Sequence, residues 1–290
     1  MPFQIGRPVW TWALLASTLV CGAGSAEDGN RAACDWSVSD SRSAGPNDIG
    51  HEDLDPRLRD PENGNEAPGP GNLFAVVKID SLHHPHIFVE DRSTGSKREL
   101  VAGSQPRWSP AGNRIACTVW KSPKCFSTLR IIDVRTGDAL SPDVPCHVVN
   151  YRWAPDGRSL AVAAVLPHSD MNSLLWVDVP TGRARLLDTL TVFSDYADLT
   201  WSPDSRALVA TRVLAMELEG EPTATDLWLF DSGGQRCRLT KTKDYLEGGP
   251  KWVNEKDLVF SRRRVSDPDL GNPERRVITV TRVKSGEAAE

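Results

Sequence analysis

The sequence lacks most signatures of a catalyst or a nucleic-acid binder. No Gly-x-Ser-x-Gly occurs, so the serine-nucleophile elbow is missing. No His-Glu-x-x-His and no Cys-x-x-Cys occurs, which removes the zinc-protease helix, the zinc ribbon and the thioredoxin-type centre. Charge of one sign does not dominate: 34 Lys and Arg stand against 39 Asp and Glu, for a net charge of −5. No general basic field exists to hold a phosphate backbone. The one dense basic group, Arg262, Arg263 and Arg264 with Arg275 and Arg276, reads as a solvated hairpin. Tyr and Phe are scarce, at 3 and 7, yet Trp reaches 10, which points to a repeated structural role for Trp.

Only one long apolar run is present, at the N-terminus. Arg7 precedes an apolar stretch from Val9 to Val20, and Gly24-Ser25-Ala26 offers a small-x-small cleavage site before Glu27. Residues 1–26 therefore read as an export signal peptide, and the mature chain is expected to be periplasmic or secreted. A retained anchor and a lipidated Cys21, after Thr18-Leu19-Val20, are the alternatives. Residues 27–72 are rich in Gly, Pro, Asp, Asn and Ser, and read as a polar linker or tail.

From Leu73 the texture changes to short apolar runs separated by turn chemistry. Three units align as Arg107-Trp108-Ser109-Pro110-Ala111-Gly112, Arg152-Trp153-Ala154-Pro155-Asp156-Gly157 and Thr200-Trp201-Ser202-Pro203-Asp204-Ser205. Lys251-Trp252-Val253-Asn254 is a degenerate fourth. The Trp residues follow one another at 45, 48 and 51 residues, a period suited to four-stranded propeller blades. A β-rich run follows each turn, then a strand ending in Asp133, Asp178 or Asp231, then Gly137, Gly182 or Gly234. An earlier unit without Trp ends its strand at Asp91. Pro fixes φ in the turn, Asp caps it, and Gly accepts positive φ. The recurrence of the Asp residues assigns them to the fold rather than to one catalytic site.

These units resemble the WD40-like (PD40) repeat of the TolB family, whose pattern is Trp-Ser-Pro-Asp-Gly, a short β-run and a strand ending in Asp. The resemblance covers roughly Leu73 to Gly286 and concerns the repeats only, because no α/β domain precedes them. It implies an all-β chain: a β-propeller of about five four-stranded blades over residues 73–290. The first unit lacks an adjacent Trp strand and the last lacks a fourth strand. Cys34-Asp35-Trp36-Ser37-Val38 is a candidate for a missing strand that closes the ring; otherwise the chain would complete itself by self-association.

In such a blade the loops between the second and third strands share one face with the blade-to-blade loops. Here those loops are long: Lys78–Pro85, Leu166–Asn172, Leu214–Thr225 and Val265–Glu274. Loops gathered on one face suit binding. Cys125 and Cys146 fall there and are the leading disulfide pair; Cys34 with Cys237 is the second, and Cys117 reads as a small packing residue. His83, His84 and His86 form the one His cluster and read as a surface loop. Asp267, Asp269 and Asn272 lack a calcium loop's acidic spacing. No catalytic, cofactor-binding or metal-binding residue is assigned, and no cofactor is expected. The leading expectation is a non-enzymatic envelope module that binds another protein, with no nucleic-acid partner and no membrane span after signal cleavage. A glycan lyase or hydrolase using His83 to His86, and a purely structural repeat protein, are the other two.

Overall fold

Each Trp of the repeat ends the first strand of a blade, and three of them tie that strand to the blade before. The computed structural model describes residues 35–39, 41–45, 47–48, 65–122, 127–145, 147–166, 171–190, 195–216, 222–266 and 273–282. Every regular element in it is a β-strand. The first blade is β3 (Glu66–Pro68), β4 (Leu73–Ile79), β5 (Pro85–Asp91) and β6 (Ser96–Ala102). The second is β7 (Ser104–Trp108), β8 (Arg114–Val119), β9 (Thr128–Asp133) and β10 (Ala139–Leu140). The third is β11 (Val148–Trp153), β12 (Ser159–Val165), β13 (Asn172–Asp178) and β14 (Ala184–Leu190). The fourth is β15 (Asp195–Trp201), β16 (Ala207–Met216), β17 (Pro222–Asp231) and β18 (Arg236–Arg238). All four are antiparallel meanders in chain order.

The fifth blade is built from both ends of the described chain. It runs β19 (Tyr245–Trp252), β20 (Asp257–Arg264), β21 (Glu274–Arg282), and its fourth strand is β1 (Trp36–Val38). Trp36 lies opposite Arg282 and Val38 opposite Val280; after an irregular step, β2 (Arg42–Ser43) continues the edge opposite Val277 and Arg276. Trp36 also packs into the core between blades four and five. The segment expected to supply a missing strand does so. The propeller also extends further upstream than residue 73: β1, β2 and β3 all lie within the 27–72 stretch read as tail. They were hidden because each has only two or three residues, too few to carry a hydrophobic period.

The blades are apolar on both faces, so each needs neighbours. Four buried clusters lie between successive blades, one to two, two to three, three to four and four to five. Trp108 Nε1 donates to the Ala67 carbonyl at 3.0 Å, Trp153 Nε1 to Arg107 at 3.1 Å, and Trp201 Nε1 to Arg152 at 3.1 Å. Arg107 and Arg152 each immediately precede the Trp of their own strand, so the same link recurs from blade to blade. In β3 the equivalent of Trp is Pro68, so the first blade has no indole to reach backward. Gly69 makes room for the first link: a Cβ there would lie 2.5 Å from the Trp108 ring.

The turn after each Trp behaves as its composition requires. Gly112 and Gly157 take φ of 71° and 67°, and Ser205 takes 61° at the same place. Each repeated Asp caps the next turn through its carboxylate: Asp91 accepts from Ser93 N, Asp133 from Arg135 N and Thr136 N, Asp178 from Thr181 N, and Asp231 from Gln235 N. The turn donors hold Asp91 and Asp133 below the usual carboxylate range. These residues serve the fold, as their recurrence indicates.

Candidate functional site

Antiparallel order puts the ends of β4, β8, β12, β16 and β20 on one face, together with the starts of the blades' first strands. This long-loop face carries the loop Lys78–Pro85 and residues 265–266 after β20. The Leu214–Thr225 segment is less of a loop than its composition indicates. β16 and β17 are ten residues each and remain paired as far as Met216 opposite Pro222. Much of Leu166–Asn172 and Val265–Glu274 lies outside the described residues, as do Asp267, Asp269, Asn272, Cys34, Cys125 and Cys146.

Exposed apolar side chains gather on this face. Seven large hydrophobic residues are exposed among the described residues, and five of them are here: Ile79, Leu82, Trp120, Val149 and Val265. Leu82 is 72% exposed and Trp120 64%. Ile79 ends β4, Leu82 is in the loop after it, Trp120 follows β8, Val149 is the second residue of β11, and Val265 follows β20. The remaining two, Val38 and Leu186, sit on outer strands.

The His loop is also on this face, and it is organised by carboxylates. Asp80 Oδ1 accepts from Leu82 N and His84 N, each at 2.8 Å, which folds the loop back on itself. His83 takes a left-handed φ of 67° to make that turn. His86 Nδ1 bonds Glu99 Oε1 at 2.7 Å, and Glu99 raises the His86 pKa. His86 Nε2 and His84 Nδ1 lie 3.4 and 3.6 Å from Asp80 Oδ2. The loop's backbone donors, with the His charges, hold the Asp80 carboxyl below its usual range. His84 and His86 are therefore brought together around Asp80. Asp80 and Glu99 are polar residues that sequence spacing alone did not mark.

A second polar group is buried near the same end of blades four and five. Asp226 is fully buried and ion-paired with Arg238; Glu247 is 3% exposed. Burial raises both carboxyls, against the opposing pull of Arg238 on Asp226 and of Thr240 and Thr242 on Glu247. Tyr196, at the start of β15, is also buried beside Asp188, which pairs with Arg236 at 2.7 Å.

The Arg hairpin is engaged in internal contacts. Arg262 bonds Glu274 at 2.8 Å and stacks over Tyr245 at 4.5 Å, and Arg264 donates to the Tyr245 hydroxyl at 3.2 Å. Arg275 donates to the Asp48 carbonyl at 2.8 Å, and Arg276 binds Ser41 and Ser43. Cys117 is buried and free, and burial pushes its thiol up to about 12. It packs as the small apolar residue expected of it. Cys237 is buried in the fourth blade and is not free. Two shallow grooves, one lined by Glu90 to Lys97 and one by Trp176, Asp178 and Arg185, lie at the short turns on the opposite face.

No protein-family profile matches the chain, and no curated relative does. Solved structures do. The tricorn protease is 16% identical with a TM-score of 0.54, over 77% of this chain and 20% of that one. The β-propeller domain of the trilobed protease from Pyrococcus furiosus, described as having an open velcro topology, is 14% identical with a TM-score of 0.54, over 76% of this chain and 68% of that one. The oligogalacturonate lyase from Vibrio parahaemolyticus is 13% identical with a TM-score of 0.50, over 74% of this chain and 58% of that one. The chain thus spans about a fifth of the tricorn protease. At these identities the likeness shows the fold: the chain is a β-propeller. No helix among the described residues is long and apolar enough to cross a membrane.

Proposed function

We propose that this chain is an exported, non-enzymatic β-propeller that holds a protein partner on its long-loop face in the cell envelope. The observation that carries this reading is the gathering of Ile79, Leu82, Trp120, Val149 and Val265, exposed, on that one face. Exposed apolar groups cost free energy in water, and their concentration at one end of a fold suits an interface. Trp is the residue most often found at the energetic centre of such contacts. The apolar N-terminal run of residues 9–20 supports export, and the resemblance of the repeats to the TolB family supports an envelope setting.

The test is a paired capture. Mature chain from Glu27, and the same chain carrying Leu82→Ser and Trp120→Ser, are exposed to envelope extract. Both side chains are largely solvated, so the double variant keeps its fold, as far-UV circular dichroism will show. A partner held by the parent and released at least tenfold by the variant supports the reading. Equal retention by both rejects this face as the docking site.

A further inference from the structure

The loop between β4 and β5 sets one imidazole between two carboxylates. His86 Nδ1 stands 2.7 Å from Glu99 Oε1 on β6, and His86 Nε2 faces Asp80 Oδ2 across 3.4 Å. A neutral ring has one proton for its two nitrogens, so one carboxylate would then face a lone pair. Only the doubly protonated ring offers an N–H to each. The Glu99 contact has the length of a charge-assisted bond. The ring is therefore placed as a cation. It joins the loop, through Asp80, to the neighbouring strand, through Glu99.

The other charged groups around the ring leave this bridge in place. His84 Nδ1 lies 3.6 Å from the same Asp80 oxygen, with its side chain 68% exposed, and adds a weaker, solvated pair. Lys78 stands opposite His86 on β4, but its ammonium bonds Glu90 at 2.7 Å and lies over the Phe88 ring. Lys97 on β6 also turns to Glu90, at 3.7 Å, and to Phe88. The residue opposite His86 on β6 is the uncharged Ala102. Asp80 connects the bridge to the display of Leu82. Its Oδ1 accepts from Leu82 N and His84 N at 2.8 Å each, and its backbone N donates to the His84 carbonyl at 2.9 Å. The turn is built on Asp80, and Leu82 stands out of it, exposed. When the ring gives its Nε2 proton to solvent, the shorter Glu99 bond keeps the Nδ1 proton. The Nε2 lone pair then faces the Asp80 carboxylate, and attraction becomes repulsion. The turn keeps its internal bonds and loses its tie to β5 and β6.

We propose that His86 is a pH-sensitive latch: it holds the Leu82 turn against β5 and β6 while its ring is a cation, and releases the turn when the ring is neutral. The latch regulates the docking face, and in that role it rests on the partner-binding reading. An unperturbed histidine titrates near about pH 6.5. The bond to Glu99, helped by Asp80, raises His86 above that value. The hold is therefore complete below the ordinary histidine value and is lost as pH rises through the folded one.

The test reads ring and loop without any partner. The mature chain from Glu27, labelled with ¹⁵N, is titrated by NMR from about pH 5 to about pH 9. The His86 ring nitrogens should show a cation with a midpoint above about 6.5. The order parameter of the Leu82 N–H should fall with the same midpoint, from about 0.85 towards about 0.6. Asp80→Asn and Glu99→Gln should each lower the ring midpoint; Asn keeps the side-chain oxygen that folds the turn. His86→Gln should leave Leu82 mobile at every pH, and His84→Gln should leave the transition in place. A parent midpoint at or below about 6.5, a Leu82 order parameter indifferent to pH, or a transition that survives His86→Gln overturns the proposal. Partner capture, repeated at about pH 6 and about pH 8.5, should retain at least about threefold more at the lower pH. Equal retention at both, with the NMR transition intact, overturns the regulatory role. If the ring and turn titrate together but no Leu82-dependent partner is captured, the partner-binding reading fails and the latch stands.

Discussion

Replacing Trp201 by Phe isolates the link that joins the blades. Trp201 is 1% exposed, its Nε1 donates to the Arg152 carbonyl of the previous blade at 3.1 Å, and its ring meets Trp176 edge-on at 4.4 Å between centroids. Phe keeps one aromatic ring and loses the donor. The lost hydrogen bond is worth about 0.5–1.5 kcal/mol. The weakened ring pair adds up to about 1 kcal/mol. The space left by the smaller ring adds roughly 1 kcal/mol more. The expected loss is about 1.5–3.5 kcal/mol, which for a domain of this size lowers Tm by roughly 3–14 °C. Urea unfolding followed by far-UV circular dichroism measures it, and an unchanged m-value shows that the unfolded state is the same. Trp120→Phe is the control, because Trp120 makes no such link and is 64% exposed. A loss at Trp201 within about 0.5 kcal/mol of the control would refute the view that Trp ties blade to blade.

Three further outcomes follow from the same structure. Glu247 has its folded pKa raised by burial, so its contribution to stability is complete below the unfolded pKa and is lost as pH rises through the folded one. Glu247→Gln should therefore match the parent near pH 4 and exceed its Tm near pH 8; a variant less stable at pH 8 contradicts the direction. Removing residues 27–44 strips β1 and β2 from blade five and Trp36 from its core, and should cost roughly 2–4 kcal/mol by thermal or urea unfolding. No change in stability would mean that the edge pairing is dispensable. Asp35, next in sequence to Cys34, bonds Gln235 twice, through its backbone N at 3.3 Å and its carboxylate at 2.8 Å, and Gln235 lies two residues from Cys237. Non-reducing peptide mapping of the oxidised chain should yield Cys34 linked to Cys237, and Cys237 linked to Cys125 or Cys146 would contradict it.

The architecture was legible because the repeat states it several times over. Trp108, Trp153 and Trp201, each followed by a Pro turn, set the blade period, and the capping Asp residues confirm the order of strands within each unit. What stayed hidden had no period to display. β3 is Glu66-Ala67-Pro68, a strand defined by pairing with β4 rather than by alternation. The ten-residue strands around Leu214–Thr225 read as loop because β17 opens on Pro222-Thr223-Ala224-Thr225, a Pro and Thr stretch without apolar alternation. Asp80 and Glu99 were missed for a different reason. They meet His86 only through the fold of one loop and the pairing of β5 with β6, whose register shifts between Ile87 and Phe88. Sequence separation says nothing of that meeting. The exposed Trp120 was equally unmarked, since one more Trp in a Trp-rich chain gives no sign of facing water.

The central claim is that one face of the propeller does the binding. A photo-crosslinking amino acid placed singly at Leu82 and at Trp120, and at Ala111 and Thr136 on the short-turn face, tests it in the envelope itself. The account predicts one shared adduct from Leu82 and Trp120 and none from Ala111 or Thr136. The same adduct from the short-turn positions, with none from Leu82 or Trp120, would contradict it.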